Sequence, residues 1–242
     1  MNGRKQYPVR MLWIMALCGC LWGQRAYGQY YESREYARPE GRYLTAGAVW
    51  SEFRPRSSNP SPDSLVSRFN RVIPMIAFHQ GLVDLYLGYT TFNDHGESRE
   101  AIVFGTEVAT DIPLLGRRPS ALALPLVVSV DYSKVEAAGP KRDNFNIASI
   151  GIGVGLKFRT VAPSAEFWIQ GLQVAHFSFE GISAGTGSSL ATIGEAALLL
   201  PRVLLGDGIV ISYRARFQSW SMNNDRFNYR SFYHGPSIGI LF

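Results

Sequence analysis

Residues 208–220 read GIVISYRARFQSW, and the character of the side chain changes at every step. Ile209, Ile211, Tyr213, Ala215 and Phe217 fall on one face of an extended chain, and Ser212, Arg214, Arg216 and Gln218 on the other, because successive side chains of a β-strand point to opposite sides. A helix would mix the two sets. The same period returns upstream. Val83, Leu85, Leu87 and Tyr89 oppose Asp84, Tyr86, Gly88 and Thr90; Ile102, Phe104, Thr106 and Val108 oppose Gly105 and Glu107. Leu122, Leu124, Leu126, Val128, Val130 and Tyr132 oppose Ala121, Ala123, Ser129 and Asp131, and Ile150, Ile152, Val154, Leu156 and Phe158 oppose Ser149, Gly151, Gly153, Gly155 and Lys157.

Such segments lie near residues 43–53, 71–79, 82–92, 100–110, 120–133, 145–158, 165–178, 189–200, 208–219 and 231–242. Each approaches the roughly 9 to 11 tilted residues with which a strand crosses hydrocarbon. The pattern predicts an all-β fold, a closed antiparallel transmembrane β-barrel of about ten strands (eight to twelve fit the same rhythm), preceded by a signal peptide. Polar connections after the odd strands (Arg54 to Asn70, Asn93 to Arg99, Lys134 to Asn144, Glu180 to Ser188, Ser221 to Arg230) are expected as outer loops. His79-Gln80-Gly81, Asp111 to Pro119, Arg159 to Ser164 and Pro201 to Asp207 are expected as inner turns, which places both termini in the periplasm.

Alternation alone does not separate a membrane barrel from a soluble one, whose greasy face points inward. Here the face opposite the aliphatic one is rich in Gly, Ala and Ser with a few charges, a lining suited to a narrow interior rather than to a solvated exterior. Phe53, Phe78, Phe92, Tyr132, Phe145, Phe158, Trp220 and Phe232 lie near strand ends and are expected to form the interfacial girdles of such a barrel.

At the start of the chain, Arg4, Lys5 and Arg10 precede an apolar run from Met11 to Gly23, and Ala26-Tyr27-Gly28 offers the small residues of a cleavage site. The organisation expected is a signal peptide over 1–28, a polar periplasmic extension over 29–41 and an outer-membrane barrel over 42–242. Leu17-Cys18-Gly19-Cys20 resembles a lipoprotein signal, which leaves acylation at Cys20 as a second exit. Both cysteines of the chain lie there, so cleavage after Gly28 leaves no disulfide and no thiolate metal site. It also removes Arg4, Lys5, Arg10 and Arg25, taking the formal charge from +5 to +1. The remaining basic residues form no stripe, so nucleic acid is not an expected partner.

The final segment, SFYHGPSIGILF over 231–242, ends in Phe242 after alternating Ile238 and Ile240. In this the chain resembles the small outer-membrane β-barrel proteins of Gram-negative bacteria. The resemblance implies Ile238, Ile240 and Phe242 as an assembly signal read by the barrel assembly machinery, with outer-membrane lipid as surroundings and an extracellular ligand reached through the loops.

Asp84, Glu107, Asp131, Lys157, Glu195, Arg214 and Arg216 all fall on lumen faces. Inside a barrel of about ten strands they are expected to pair as an electrostatic plug, because unpaired buried charge is costly. Symmetry about the turns sets Glu195 against Arg214 and Asp84 against Glu107, with Lys157 reaching across to the acidic pair. The competing reading is an enzyme: His176-Phe177-Ser178 resembles the His-x-Ser of lipid A deacylases, which would make His176 the base, Ser178 the nucleophile and Glu180 or Glu195 the orienting acid. Phe179 stands where that family carries Asn. An omptin-like protease would also have about ten strands, but its acidic pairs and rim His have no match here, and His95 is a lone loop residue. No Walker loop, zinc spacing or dinucleotide fingerprint is present, so no cofactor is expected. The function expected is a structural, binding or narrow-pore barrel, with an envelope lipid hydrolase as the alternative.

Overall fold

The structure is a computed structural model that describes residues 42–56, 69–94, 97–117, 120–137, 145–180, 185–204, 207–223 and 228–242. The expected leader, the extension over 29–41 and His95 lie outside them. Ten strands follow one another: β1 Arg42–Pro55, β2 Phe69–Gln80, β3 Val83–Asp94, β4 Glu97–Arg117, β5 Ser120–Ala137, β6 Phe145–Ala162, β7 Ala165–Glu180, β8 Gly185–Leu204, β9 Asp207–Met222 and β10 Tyr229–Leu241. Each pairs antiparallel with its sequence neighbours, and β1 pairs with β10, so the sheet closes on itself as a barrel without edges. The seam is finished by main-chain bonds from Phe242 N to Arg42 O at 2.8 Å and from Arg42 N to Phe242 O at 3.3 Å.

Several strands outlast their apolar period. The segment expected to turn from Asp111 to Pro119 remains strand as far as Arg117, and β5 begins at Ser120. The ladder continues because β5 offers partners all the way down; Pro113, which has no N–H to give, sits where the register slips between Pro113 and Leu115. Gly116 then takes φ 91°, a conformation that a side chain would disfavour. Likewise β8 runs on to Leu204 through a register shift after Leu200, with Arg202 at φ 63°.

The two faces separate cleanly. Ile152 is 73% exposed and Ile238 61%, whereas Glu107 and Arg216 are 1% exposed. The wall therefore turns an aliphatic side outward and its charges inward, where they lie beside apolar clusters such as Leu172, Val174 and Ile193; a water-soluble barrel keeps its charges outside. One expectation about this wall fails. Phe53, Phe92, Phe145 and Trp220 belong to no girdle: all four are buried inside the barrel. Their parity requires it, since Phe53 shares a face with Ser51 and Val49, and Trp220 with Gln218 and Arg216. Phe78, Tyr132, Phe158 and Phe232 do lie on the outer side.

Candidate functional site in the barrel lumen

The interior is built in layers along the axis. At the end away from the chain termini, Phe53 stacks on Tyr229 at 4.6 Å and on Phe69 at 5.5 Å between centroids, and Phe145 meets Phe53, Tyr229 and Trp220 edge-on at 4.8, 5.0 and 5.3 Å. Phe92 adds to the cluster against Phe69 at 4.9 Å. These rings pack across the lumen, with the buried Arg99 set opposite Phe92.

Next comes the charged layer. Two glycines on the wall make room for it. Gly105 is the register partner of Tyr86, and a Cβ there would stand 2.3 Å from the Tyr86 ring; Gly151 is the partner of His176, and a Cβ there would stand 2.5 Å from its Cδ2. With no side chain beneath them, both rings lie along the wall and turn their polar ends toward Asp131. The Tyr86 hydroxyl donates to Asp131, as does Arg216 Nη2, and His176 Nε2 lies 2.8 Å from the same carboxylate. Arg216 Nη1 donates to the Tyr86 oxygen and lies 3.5 Å from Glu107. Arg214 donates to Glu107 and lies 3.8 Å from Glu195, which also accepts from Gln170 Nε2 at 3.1 Å. Both guanidinium groups sit over the face of Tyr86, at 5.1 Å for Arg214 and 5.9 Å for Arg216. Two cations thus meet three carboxylates in a nearly dry space, where opposite charges attract strongly and each unpaired one is expensive.

Beside this cluster, hydroxyl groups are chained across three strands and finished by an amide: Ser149 to Ser178 at 2.8 Å, Ser178 to Ser189 at 3.2 Å, and Gln218 Nε2 to Ser189 at 3.1 Å. Toward the terminal end a further layer pairs Lys157 with Asp111 at 2.7 Å, Arg159 with Glu166 at 2.7 and 3.0 Å, and His79 with Asp84. Tyr43 stacks on His79 at 4.4 Å, and the Lys157 ammonium lies 5.3 Å from the Trp168 ring.

The candidates singled out from sequence are distributed as follows. Glu107, Asp131, Glu195, Arg214 and Arg216 meet in the charged layer. Glu195 and Arg214 are register partners, and so are Asp84 and Glu107. Lys157, expected to bridge that acidic pair, pairs with Asp111 at the end of β4. Asp84 has His79 and Glu107 has the two arginines, while Lys157 reaches over the small Ala123, its own register partner on β5, to the carboxylate of β4. Asp111 was absent from the expected network because the sequence pattern placed it at the start of a turn, whereas β4 continues to Arg117.

The hydrolase candidates are not arranged as a relay. In a serine hydrolase the acid holds one imidazole nitrogen while the nucleophile approaches the other. His176 Nε2 has both Asp131 Oδ2 and Ser129 Oγ at 2.8 Å, and its buried Nδ1 has no partner. Ser178 bonds to Ser149 and Ser189 rather than to His176, and Glu180 closes β7 opposite Gly185 without touching the imidazole. His176 and Ser178 are 4% and 0% exposed, inside the wall and away from any lipid.

Tyr86, Ser129, Asp111, His79 and Gln170 were not singled out as site residues from the sequence. Tyr86 was within its reach: an aromatic on an otherwise small and polar face, directly across from a glycine, marks a ring lying over the wall. Among the described residues no group of three or more His, Cys, Asp or Glu is arranged to hold a metal.

No protein-family model matches the chain, and no curated protein matches it in sequence. Three solved structures similar to it are outer-membrane barrels. The outer membrane protease OmpT of Escherichia coli is 9% identical, with 85% of this chain and 97% of that chain covered and a TM-score of 0.38. The outer membrane protein OprG of Pseudomonas aeruginosa is 10% identical, with 84% and 96% covered and a TM-score of 0.31. The attachment invasion locus protein Ail of Yersinia pestis is 8% identical, with 84% and 99% covered and a TM-score of 0.27.

Proposed function

We propose that this protein is an integral outer-membrane barrel that passes no solute and works through the surfaces it presents to lipid and to the cell exterior. A wall studded with Ile150, Ile152, Val154 and Leu156, each about half exposed or more, would leave each of these side chains, in water, short of about 1 to 2 kcal/mol of burial energy. In hydrocarbon that cost vanishes. The basic and apolar residues expected as an export signal over 1–28 support the same location.

The observation that carries the closed state is the bonding of Arg216 from β9 to Tyr86 on β3 and Asp131 on β5, which ties distant parts of the wall across the lumen. The aromatic layer beyond it packs further side chains across the lumen. A structural or binding role fits this interior better than a narrow pore. It also fits better than lipid hydrolysis, since the imidazole whose Nε2 meets Ser129 has no acid on its other nitrogen to orient it. Planar-bilayer recording on purified, heat-modifiable protein tests the reading. Flat current is expected, and discrete, reproducible conductance steps from the wild type would overturn it.

A further inference from the structure

Where β1 and β10 close the barrel, three successive register pairs face outward: Trp50 with His234, Glu52 with Phe232, and Arg54 with Arg230. From mid-wall toward the end away from the termini, the chemistry changes from aromatic to guanidinium. Trp50 is half exposed and stacks on His234 at 5.9 Å; Phe232 lies against the same imidazole at 5.0 Å, and His234 Nδ1 shares a 2.7 Å hydrogen bond with the hydroxyl of Tyr213. Together they form a firm aromatic shelf on the outer surface.

Above the shelf the sheet holds two like charges directly opposite each other, an arrangement that disfavours pairing unless something lies between them. Glu52 answers one, at 3.2 Å from Arg54, in a pair that remains 57% and 43% exposed. Among the described residues no carboxylate pairs with Arg230, whose buried Nε also lacks a hydrogen-bond partner. The shelf and its rim thus carry an excess of positive charge where the apolar band gives way to polar residues.

We infer that Arg54 and Arg230, with the shelf of Trp50, His234 and Phe232 beneath them, bind the phosphate of an anionic lipid headgroup. The inference rests on the outer-membrane reading above. A guanidinium presents paired N–H donors that match phosphate oxygens, and two facing guanidinium groups lose their mutual repulsion when such an anion sits between them. The shelf gives the attached chain an apolar, ring-lined bed at the depth where aromatic residues favour a membrane interface. Free phosphate would gain nothing from that bed, so the ligand is a lipid.

Native mass spectrometry of detergent-purified, folded protein titrated with phosphatidylglycerol, phosphatidylcholine or inorganic phosphate tests the site. The wild type should retain phosphatidylglycerol about tenfold better than phosphatidylcholine, whose choline cation offsets its own phosphate charge and repels the two guanidinium groups, and retain no inorganic phosphate. Arg54→Gln combined with Arg230→Gln should lose the preference while keeping the heat-modifiable fold; Arg230→Gln alone serves if the double variant fails to fold. An unchanged preference in the variants, or inorganic phosphate bound as well as the lipid, overturns the inference. Quenching separates this from the membrane reading. Among the described residues Trp50 faces outward, while Trp168 and Trp220 are buried, so the emission lost in Trp50→Phe reports the shelf. Brominated phosphatidylcholine should quench it wherever the wall lies in lipid, and brominated phosphatidylglycerol should quench it beyond its share of the bilayer only when the arginines are present. Absence of all quenching sinks the membrane reading; ordinary quenching without the phosphatidylglycerol excess sinks the site alone.

Discussion

Tyr86 donates its phenolic hydroxyl to Asp131, a residue forty-five positions further along the chain, across the strand that separates them. Gly105 lies between the two, and its missing side chain is what lets the ring bridge the gap. Tyr86→Phe should therefore keep the ring in place and strip one donor from Asp131 and one acceptor from Arg216, at a cost of about 1 to 3 kcal/mol. Gly105→Ala should cost a similar amount, about 1 to 3 kcal/mol, by pushing a buried ring off the wall. Urea titration of the barrel in lipid vesicles measures both, and a neutral Gly105→Ala would show that the ring does not rest there.

Arg216 is tied to Asp131, Tyr86 and Glu107 at once. Arg216→Met should destabilise by about 3 to 5 kcal/mol, because it leaves Asp131 buried and short of its cation. Adding Asp131→Asn should recover part of that loss, since the stranded charge is then gone. Strictly additive effects in the double-mutant cycle would contradict the pairing.

On the outer wall, Ile152→Arg should cost about 2 to 4 kcal/mol if the wall faces lipid at mid-depth. Asn223→Arg, at the exposed end of the β9 ladder, should cost almost nothing. Equal tolerance at the two positions, read from folding yields into phosphatidylcholine vesicles, would remove the lipid from the account.

His176 Nε2 lies 2.8 Å from both Asp131 and Ser129, and Ser178 bonds to other serines. Expression of the wild type should leave host lipid A acylation unchanged by mass spectrometry, and Ser178→Ala should leave the barrel folded and equally inert. Loss of one acyl chain with the wild type, restored by His176→Ala, would reinstate the hydrolase.

Lys157→Ala should strand Asp111. Its destabilisation, again about 3 to 5 kcal/mol for a broken buried pair, should shrink when Asp111→Ala is added. Strictly additive effects of the two changes would contradict the pairing.

Local rhythm was enough to read the ten strands, the outward aliphatic face and the inward charges from sequence, because the period of two is a property of each strand alone. Ser212 and Arg214 are separated from Ile211 and Tyr213 by nothing more than the pleat. Neighbour registers such as Glu195 with Arg214 were legible for a related reason: an antiparallel turn with few residues leaves little freedom in how its arms align. Parity would also have placed Phe53, Phe92, Phe145 and Trp220 inside, had it been applied to them instead of their nearness to strand ends.

The tertiary structure alone decided which lumen charges meet. Closure brings β9 opposite β3, β4 and β5, and no turn relates Arg216 to Tyr86 or Asp131; their contact follows from the curvature and stagger of the whole ring. Lys157 found Asp111 because β4 continues as strand where its apolar period has ended, sustained by main-chain bonds to β5 that are blind to side chains. The seam that sets Arg54 against Arg230 joins the first strand to the last. Nothing nearby in sequence links those two residues, and the demand of a sheet to leave no edge unpaired is what brings them together.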